Sequence, residues 1–90
     1  MTNLEEYIKK FLVYMQHEQR MSENTISSYW YDLSKYSKYL AIHFSINNVK
    51  NIKQNHINEY IRNLTKYSSK DIKKTTIMRL ISSIKSFHKF

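Results

Sequence analysis

Three residue types that cross-link small proteins or form their turns are missing from this chain. Its 90 residues include no cysteine, no glycine and no proline. Without cysteine the chain has neither disulfides nor thiolate metal ligands, which fits a cytoplasmic setting. Without glycine and proline, β-hairpins lose their usual turn residues, so Asn, Ser and Asp must begin and end the elements. These absences favour an all-α fold.

Long apolar runs are missing as well. The longest, residues 11–15, belongs to an amphipathic pattern, whereas a membrane-spanning helix needs about 20 apolar residues. The N-terminus has no signal-peptide core. The four histidines lack the H-x3-H or HExxH spacing of metal sites. We therefore expect no membrane association, no metal, no cofactor and no small-molecule substrate.

Acidic residues are scarce. The chain has 7 Asp and Glu against 15 Lys and Arg, which gives a formal charge of +8. Such an excess favours a polyanionic partner, either nucleic acid or an acidic membrane surface, although it can also simply aid solubility. The hydrophobic fraction of 41 % is that of a globular chain. Because a chain of this length supports one small core, we expect residues 1–90 to form a single domain.

Apolar residues recur at helical spacing in four segments. These segments cover about 3–18, 22–41, a shorter stretch around 57–64, and 71 to the end. Polar connectors at about 43–51 and 67–70 separate the later segments. Because the connectors are short, neighbouring helices should be antiparallel, and the sequence predicts a compact four-helix bundle.

Polar residues at the segment boundaries predict how the helices begin and end. Thr2 and Glu5 have the spacing of a capping box. Ser22 can accept a hydrogen bond from a free backbone N–H and so begin the second helix. In the first connector, Asn47 and Asn48 are expected to supply the left-handed backbone that glycine would normally provide.

The second helix concentrates aromatic residues among serines and lysines. A helical wheel places Tyr29, Trp30 and Tyr36 near the apolar stripe, where their rings should contribute to the core. Tyr31 falls roughly opposite. The far side collects small polar and basic side chains without a carboxylate, because Asp32 lies to one flank: Asn24, Ser27, Ser28, Tyr31, Lys35 and Lys38.

The fourth helix has a similar far side. Between residues 72 and 90 no acidic residue offsets its cations, whereas ordinary solvated helix faces mix Glu with Lys. Small hydroxyl groups between long cations allow close approach to a nucleic-acid backbone, and the cations can then reach phosphates or base edges. A solvated face, a membrane surface and an acidic protein are the alternatives. The residues concerned are Lys73, Lys74, Thr75, Arg79, Ser82, Lys85, Ser86 and Lys89.

Two stretches of the chain resemble a known family. "FLVYMQHEQRMSENTISSYWYDLSKYSKYL" (11–40) and "TTIMRLISSIKSFHKF" (75–90) are similar to the core-binding domain of tyrosine recombinases, the phage-integrase and Xer-type enzymes. The chain departs from the family pattern at Arg20, where glycine is frequent, and at Trp30 and Tyr31, where basic residues are frequent. The matching positions are Met21 to Thr25, Tyr29, Asp32, Leu33, Tyr39, Leu40, Thr76, Arg79, Ser82, Lys85 and Phe87.

The resemblance implies a SAM-like helical bundle that lies across DNA opposite a separate catalytic domain. In this family the second and fourth helices face the major groove, and sister recombinase subunits also contact one another. The strand-cleaving tyrosine belongs to the catalytic domain, which we expect to be absent from this chain. The HxxR sequence from His17 to Arg20 lies outside the family's catalytic segment, so residues 1–90 should have no catalytic residue.

Our first hypothesis is therefore a module that binds double-stranded DNA during integration or recombination. Its DNA-binding residues would be those of the two basic faces, from Ser27 to Lys38 and from Lys73 to Lys89. The alternative is a protein-interaction module whose basic faces meet an acidic partner or sister subunits. RNA binding is a third, weaker hypothesis, because only Tyr31 offers an exposed ring for base stacking.

Overall fold

The structure, a computed structural model, describes residues 2–67 and 73–90. Within these ranges the chain forms four α-helices, one short 3-10 helix and no strand. This confirms the all-α, four-helix prediction. The helices are α1 (Asn3–His17), α2 (Glu23–Phe44), α3 (Gln54–Tyr67) and α4 (Lys74–Lys89), and the 3-10 helix is Val49–Asn51.

Side-chain caps begin the first two helices as predicted. The Thr2 hydroxyl accepts the backbone N–H of Glu5 at 3.1 Å, and the Ser22 hydroxyl accepts that of Thr25 at 3.2 Å. Each cap satisfies one of the backbone donors that the first turn leaves unpaired. The chain therefore enters α1 and α2 at positions that the sequence itself specifies.

The left-handed backbone lies elsewhere than predicted. Ser45 (φ 55) ends α2, and Arg20 (φ 53) makes the turn between α1 and α2. The prediction for Asn47 and Asn48 is wrong: Asn48 is extended (φ −129), and its side chain caps the 3-10 helix through the N–H of Lys50. At Arg20 the chain adopts without glycine a conformation that glycine adopts more readily.

The core lies where α1 and α4 pack on α2. Tyr36 is fully buried in it, as predicted, and Tyr31 is exposed on the opposite side. Trp30 corrects our interpretation, because it keeps 38 % of its surface exposed at the edge of α2 rather than joining the core. The buried apolar residues are Leu4, Ile8, Phe11, Leu12, Met15, Leu33, Tyr36, Leu40, Ile46, Tyr60, Leu80, Ile84 and Phe87.

The later helices bury the predicted sides. On α3, Tyr60 is buried, and Ile57 and Leu64 pack against the core. On α4 the buried apolar residues fall at helical spacing, and Lys73 is the N-cap residue. The second predicted connector and the predicted start of the fourth helix lie largely outside the described residues, since residues 68–72 separate the described ends of α3 and α4.

Candidate nucleic-acid interface

A cleft of about 470 Å³ opens between α2 and the first half of α4. It brings together four residues that the sequence assigned to two separate basic faces: Tyr31 and Lys35 from α2, and Lys73 and Arg79 from the α4 segment. The basic sides of the two helices therefore meet along a common cleft. Its full lining is Tyr31, Asp32, Lys35, Lys73, Thr76, Arg79 and Leu80.

Arg79 and Asp32 form a bidentate ion pair across this cleft. Nε of Arg79 donates to Oδ2 and Nη2 donates to Oδ1, both at 2.9 Å. The Asp32 side chain is fully buried, whereas that of Arg79 is 40 % exposed. We predicted that no carboxylate would offset the cations of the fourth helix. For Arg79 that prediction is wrong, because the compensating charge comes from α2.

The ion pair also changes the electrostatics around it. Hydrogen bonding to Asp32 raises the pKa of Arg79 above its ordinary value, so this side chain stays charged. On α3, burial raises the pKa of Tyr60 to about 12, and the negative charge of Asp32 adds to that rise. Asp32 is therefore paired with a cation on α4, and its charge also helps to keep Tyr60 on α3 neutral.

The two lysines of the cleft carry uncompensated charge. Within residues 2–67 and 73–90, no carboxylate pairs with Lys35 or Lys73. Nζ of Lys35 lies 4.9 Å from the centroid of the exposed Tyr31 ring, a cation–π arrangement. Lys73 makes no side-chain cap, so the positive end of the α4 dipole adds to the potential here.

Other predicted residues lie outside the cleft. Ser27 lines an apolar groove between α1 and α2. Lys38 shares a cavity with Glu5 of α1, so that part of the face is not free of carboxylates. Ser86 and Lys89 line a third cavity near the end of α4. The basic face is therefore broader than the cleft, and parts of it turn toward α1.

Much of the predicted α4 face is exposed to solvent. The exposed Met78, 61 % accessible, lies one turn from Ser82, and our interpretation of the sequence did not include it. It adds an apolar contact point to an otherwise polar surface. The exposed predicted residues of α4 are Lys74, Thr75, Ser82, Lys85 and Lys89; on α2, Asn24 is exposed and Ser28 is half-buried.

The sequence contained a signal for the role of Asp32. On the α2 wheel this residue lies between the exposed side and the apolar stripe of Leu33 and Tyr36. A carboxylate at such a border is buried only when a cation or hydrogen-bond donors compensate it. The wheel of the fourth helix placed Arg79 opposite its apolar stripe, so the sequence indicated that Asp32 needs a partner but did not identify Arg79 as that partner. In contrast, nothing in the sequence indicated that Thr76 would line the cleft.

The part of the chain that the structure describes contains no group of three His, Cys, Asp or Glu side chains that could hold a metal ion. Among the same residues, no helix has the length and apolar character needed to cross a membrane.

The family described as "Phage integrase, N-terminal SAM-like domain" matches residues 8–90. The tyrosine recombinase XerD of Oceanobacillus iheyensis is 37 % identical over 89 residues, covering 97 % of this chain and 28 % of that protein. XerD of Halalkalibacterium halodurans is 32 % identical over 83 residues, covering 92 % and 27 % respectively.

A tyrosine recombinase of Thermosipho africanus gives a similar result, with 30 % identity over 89 residues, 97 % of this chain and 30 % of that protein. The chain thus spans less than a third of the length of these relatives. No solved structure matches it.

Proposed function

Because this chain belongs to the phage-integrase family of N-terminal SAM-like domains found in tyrosine recombinases, we propose that it binds duplex DNA during site-specific recombination. The proposed contact surface is the cleft between α2 and α4 together with the outer face of α4. Strand cleavage and rejoining would be performed by a separate catalytic domain of a parent recombinase. Sister subunits of that recombinase are the proposed protein partners.

The observation that carries this proposal is the convergence of cations from two helices. Lys35 and Lys73 line the same cleft, and neither has a carboxylate partner among the described residues. Duplex DNA presents closely spaced phosphates, which such side chains neutralise with release of counterions. Exposed Lys74, Lys85 and Lys89 extend the positive surface along α4.

Short hydroxyl side chains support close approach of a duplex. Thr76 lies in the cleft, and Thr75 and Ser82 are exposed on α4. Hydroxyl groups can donate to phosphate oxygens and do not hold the backbone away as longer side chains would. Tyr31 is exposed, lies against Lys35 and lines the cleft, and these features support a contact with sugar or base.

The salt dependence of binding tests the proposal. If about five phosphates are neutralised, the logarithm of the association constant should fall with the logarithm of salt concentration at a slope near −4 to −5. Fluorescence anisotropy with a labelled duplex measures this slope. The double variant Lys35→Ala/Lys73→Ala should bind more weakly and reduce the magnitude of the slope by about 2.

A matched control separates the cleft from the overall charge. Lys50→Ala/Lys53→Ala removes the same charge, at exposed positions in and after the 3-10 helix that packs on α1. We expect it to change the slope by less than about 0.5. Salt-independent affinity, or equal effects of the two double variants, would contradict the proposed surface.

A further inference from the structure

The ion pair uses only one edge of the Arg79 guanidinium. Nε and Nη2 donate to Asp32, so the edge formed by Nη1 and the outer N–H of Nη2 remains open. Within the described ranges Arg79 makes no other side-chain hydrogen bond, and 40 % of its side chain is exposed where it lines the cleft. The cleft therefore presents two parallel donors in a fixed plane.

Charge compensation makes Arg79 unlike the lysines beside it. With the carboxylate of Asp32 at 2.9 Å, the pair has no net charge, and its attraction for a phosphate is much weaker than that of an isolated cation. A phosphate on the open edge would also approach the Asp32 carboxylate. A neutral acceptor pair meets neither penalty, so the open edge suits a base edge better than the DNA backbone.

We propose that Arg79 reads a guanine in the major groove through its open edge, and that Asp32 positions it to do so. The acceptors would be O6 and N7 of guanine, which match the spacing of two parallel guanidinium donors and are the commonest specific contact of arginine with DNA. This inference rests on the proposed DNA-binding function. The residues of the cleft would then have separate roles: Lys35 and Lys73 bind phosphates, and Arg79 supplies base specificity.

Asp32 acts only through Arg79. Its side chain is fully buried, so it touches no base itself. Its two hydrogen bonds remove the rotational freedom of the guanidinium before DNA arrives, and they keep the net charge of this position near zero. Both effects favour discrimination between bases over general affinity.

The first test compares base preferences. Duplexes bound by the unmodified chain are selected from a pool with a randomised central segment, and the selection is repeated with Arg79→Lys. Lysine keeps the charge and one bond to Asp32 but lacks the planar fork. We expect one strongly preferred G·C position to lose its preference by at least about fivefold, while the other preferences remain.

Arg62→Lys is the matched control. Arg62 is an exposed arginine on α3 that pairs with Glu59 at 3.5 Å, so the same substitution is made at an ion-paired arginine outside the cleft. It should leave every base preference unchanged. Thermal unfolding followed by circular dichroism verifies that both variants are folded.

The second test uses Asp32→Asn, which nearly preserves volume and removes the compensating charge. Arg79 is then free to reach a phosphate. We expect the guanine preference to weaken, and the salt slope to become steeper by about 0.9, the value for one added phosphate contact. A purely structural Asp32 would not steepen the slope. If this variant does not fold, the guanine readout is tested by the Arg79→Lys comparison alone.

The possible outcomes separate this inference from the function on which it rests. Unchanged base preferences in Arg79→Lys, or duplex binding without any base preference, would overturn the readout and leave DNA binding intact. An unchanged salt slope in folded Asp32→Asn would overturn the positioning role. Failure of the unmodified chain to bind any duplex would remove both the inference and the proposed function.

Discussion

Arg79 and Asp32 differ in exposure, so removing one of them should lower the free energy of unfolding more than removing the other. Arg79→Ala would leave the fully buried Asp32 carboxylate without its cation. Asp32→Asn would leave a guanidinium that is 40 % exposed and can turn toward water. We therefore expect the arginine substitution to reduce the free energy of unfolding by about 3 kcal/mol or more, and the aspartate substitution by about 1–2 kcal/mol.

Urea denaturation of the two variants measures this difference. Arg62→Ala is the reference, because its pair with Glu59 is exposed on both sides and should contribute less than about 1 kcal/mol. A larger loss for Asp32→Asn than for Arg79→Ala would mean that the buried carboxylate is compensated by something other than Arg79.

For single residues, the sequence predicted the features that depend on adjacent positions in the chain. It did not predict those that depend on contacts with other helices. Ser22 was recognisable as a cap because capping involves only the next few residues. Trp30 was assigned to the core because a wheel shows only the angle around one helix. Its exposure depends on how far α1 covers that side of α2, which no local pattern specifies. The Asp32–Arg79 pair likewise joins residues 47 positions apart.

Among the helices, α2 and α4 are joined a second time, between Tyr36 in the middle of α2 and His88 near the end of α4. The hydroxyl of Tyr36 and Nε2 of His88 lie 2.8 Å apart. Burial raises the pKa of Tyr36, so this hydroxyl keeps its proton and can donate to a neutral His88 ring. Burial also lowers the pKa of His88 below 6.5. Protonation of His88 would remove the acceptor and place a charge in a largely apolar junction.

This junction should make stability depend on pH. Because the folded-state pKa of His88 lies below the unfolded value of 6.5, the unfolded chain binds the proton more readily. The contribution of neutral His88 is therefore fully present above about pH 6.5 and is lost as the pH falls toward the folded-state pKa. Tyr36 and Tyr60 remain neutral throughout this range.

The free energy of unfolding, measured in urea between about pH 5 and 7.5, reports this effect. His88→Gln can still bond to Tyr36 but cannot titrate, so its stability should fall less steeply on acidification than that of the unmodified chain. His17→Gln, at the exposed end of α1, provides the control and should retain the original profile. Parallel profiles for His88→Gln and the unmodified chain would exclude His88 as the titrating group.

The helices themselves were largely predictable from the sequence, but their mutual arrangement was not. Apolar spacing identified the inward sides of α3 and α4, because burial follows the 3.6-residue period. The wheel grouped Lys35 and Lys38 on one face of α2. In the bundle Lys35 turns to the cleft with α4, whereas Lys38 turns toward Glu5 of α1. Which neighbour lies on each flank follows from packing, which periodicity does not encode.

For the whole molecule, the charge of +8 raises the question of which polyanion it fits. We predict that the chain binds duplex DNA at least about tenfold more tightly than polyglutamate of matched charge at about 0.15 M salt, because a rigid duplex presents phosphates to both helices at once. Competition in the anisotropy assay measures the ratio. Equal competition by polyglutamate would favour the hypothesis of a protein-interaction module. Stronger competition by single-stranded RNA than by duplex DNA would favour the hypothesis of RNA binding.

Aromatic rings at the end of α4 pack against rings of α1. The ring of Phe90 lies 5.5 Å from that of Tyr7, 5.6 Å from that of Phe11 and 5.1 Å from that of Tyr14. Phe87 contacts two of the same rings, Tyr7 and Phe11. The end of α4 is thus packed against α1, and unwinding of that end would expose the α1 rings that it covers. The two helices should therefore open together rather than one at a time.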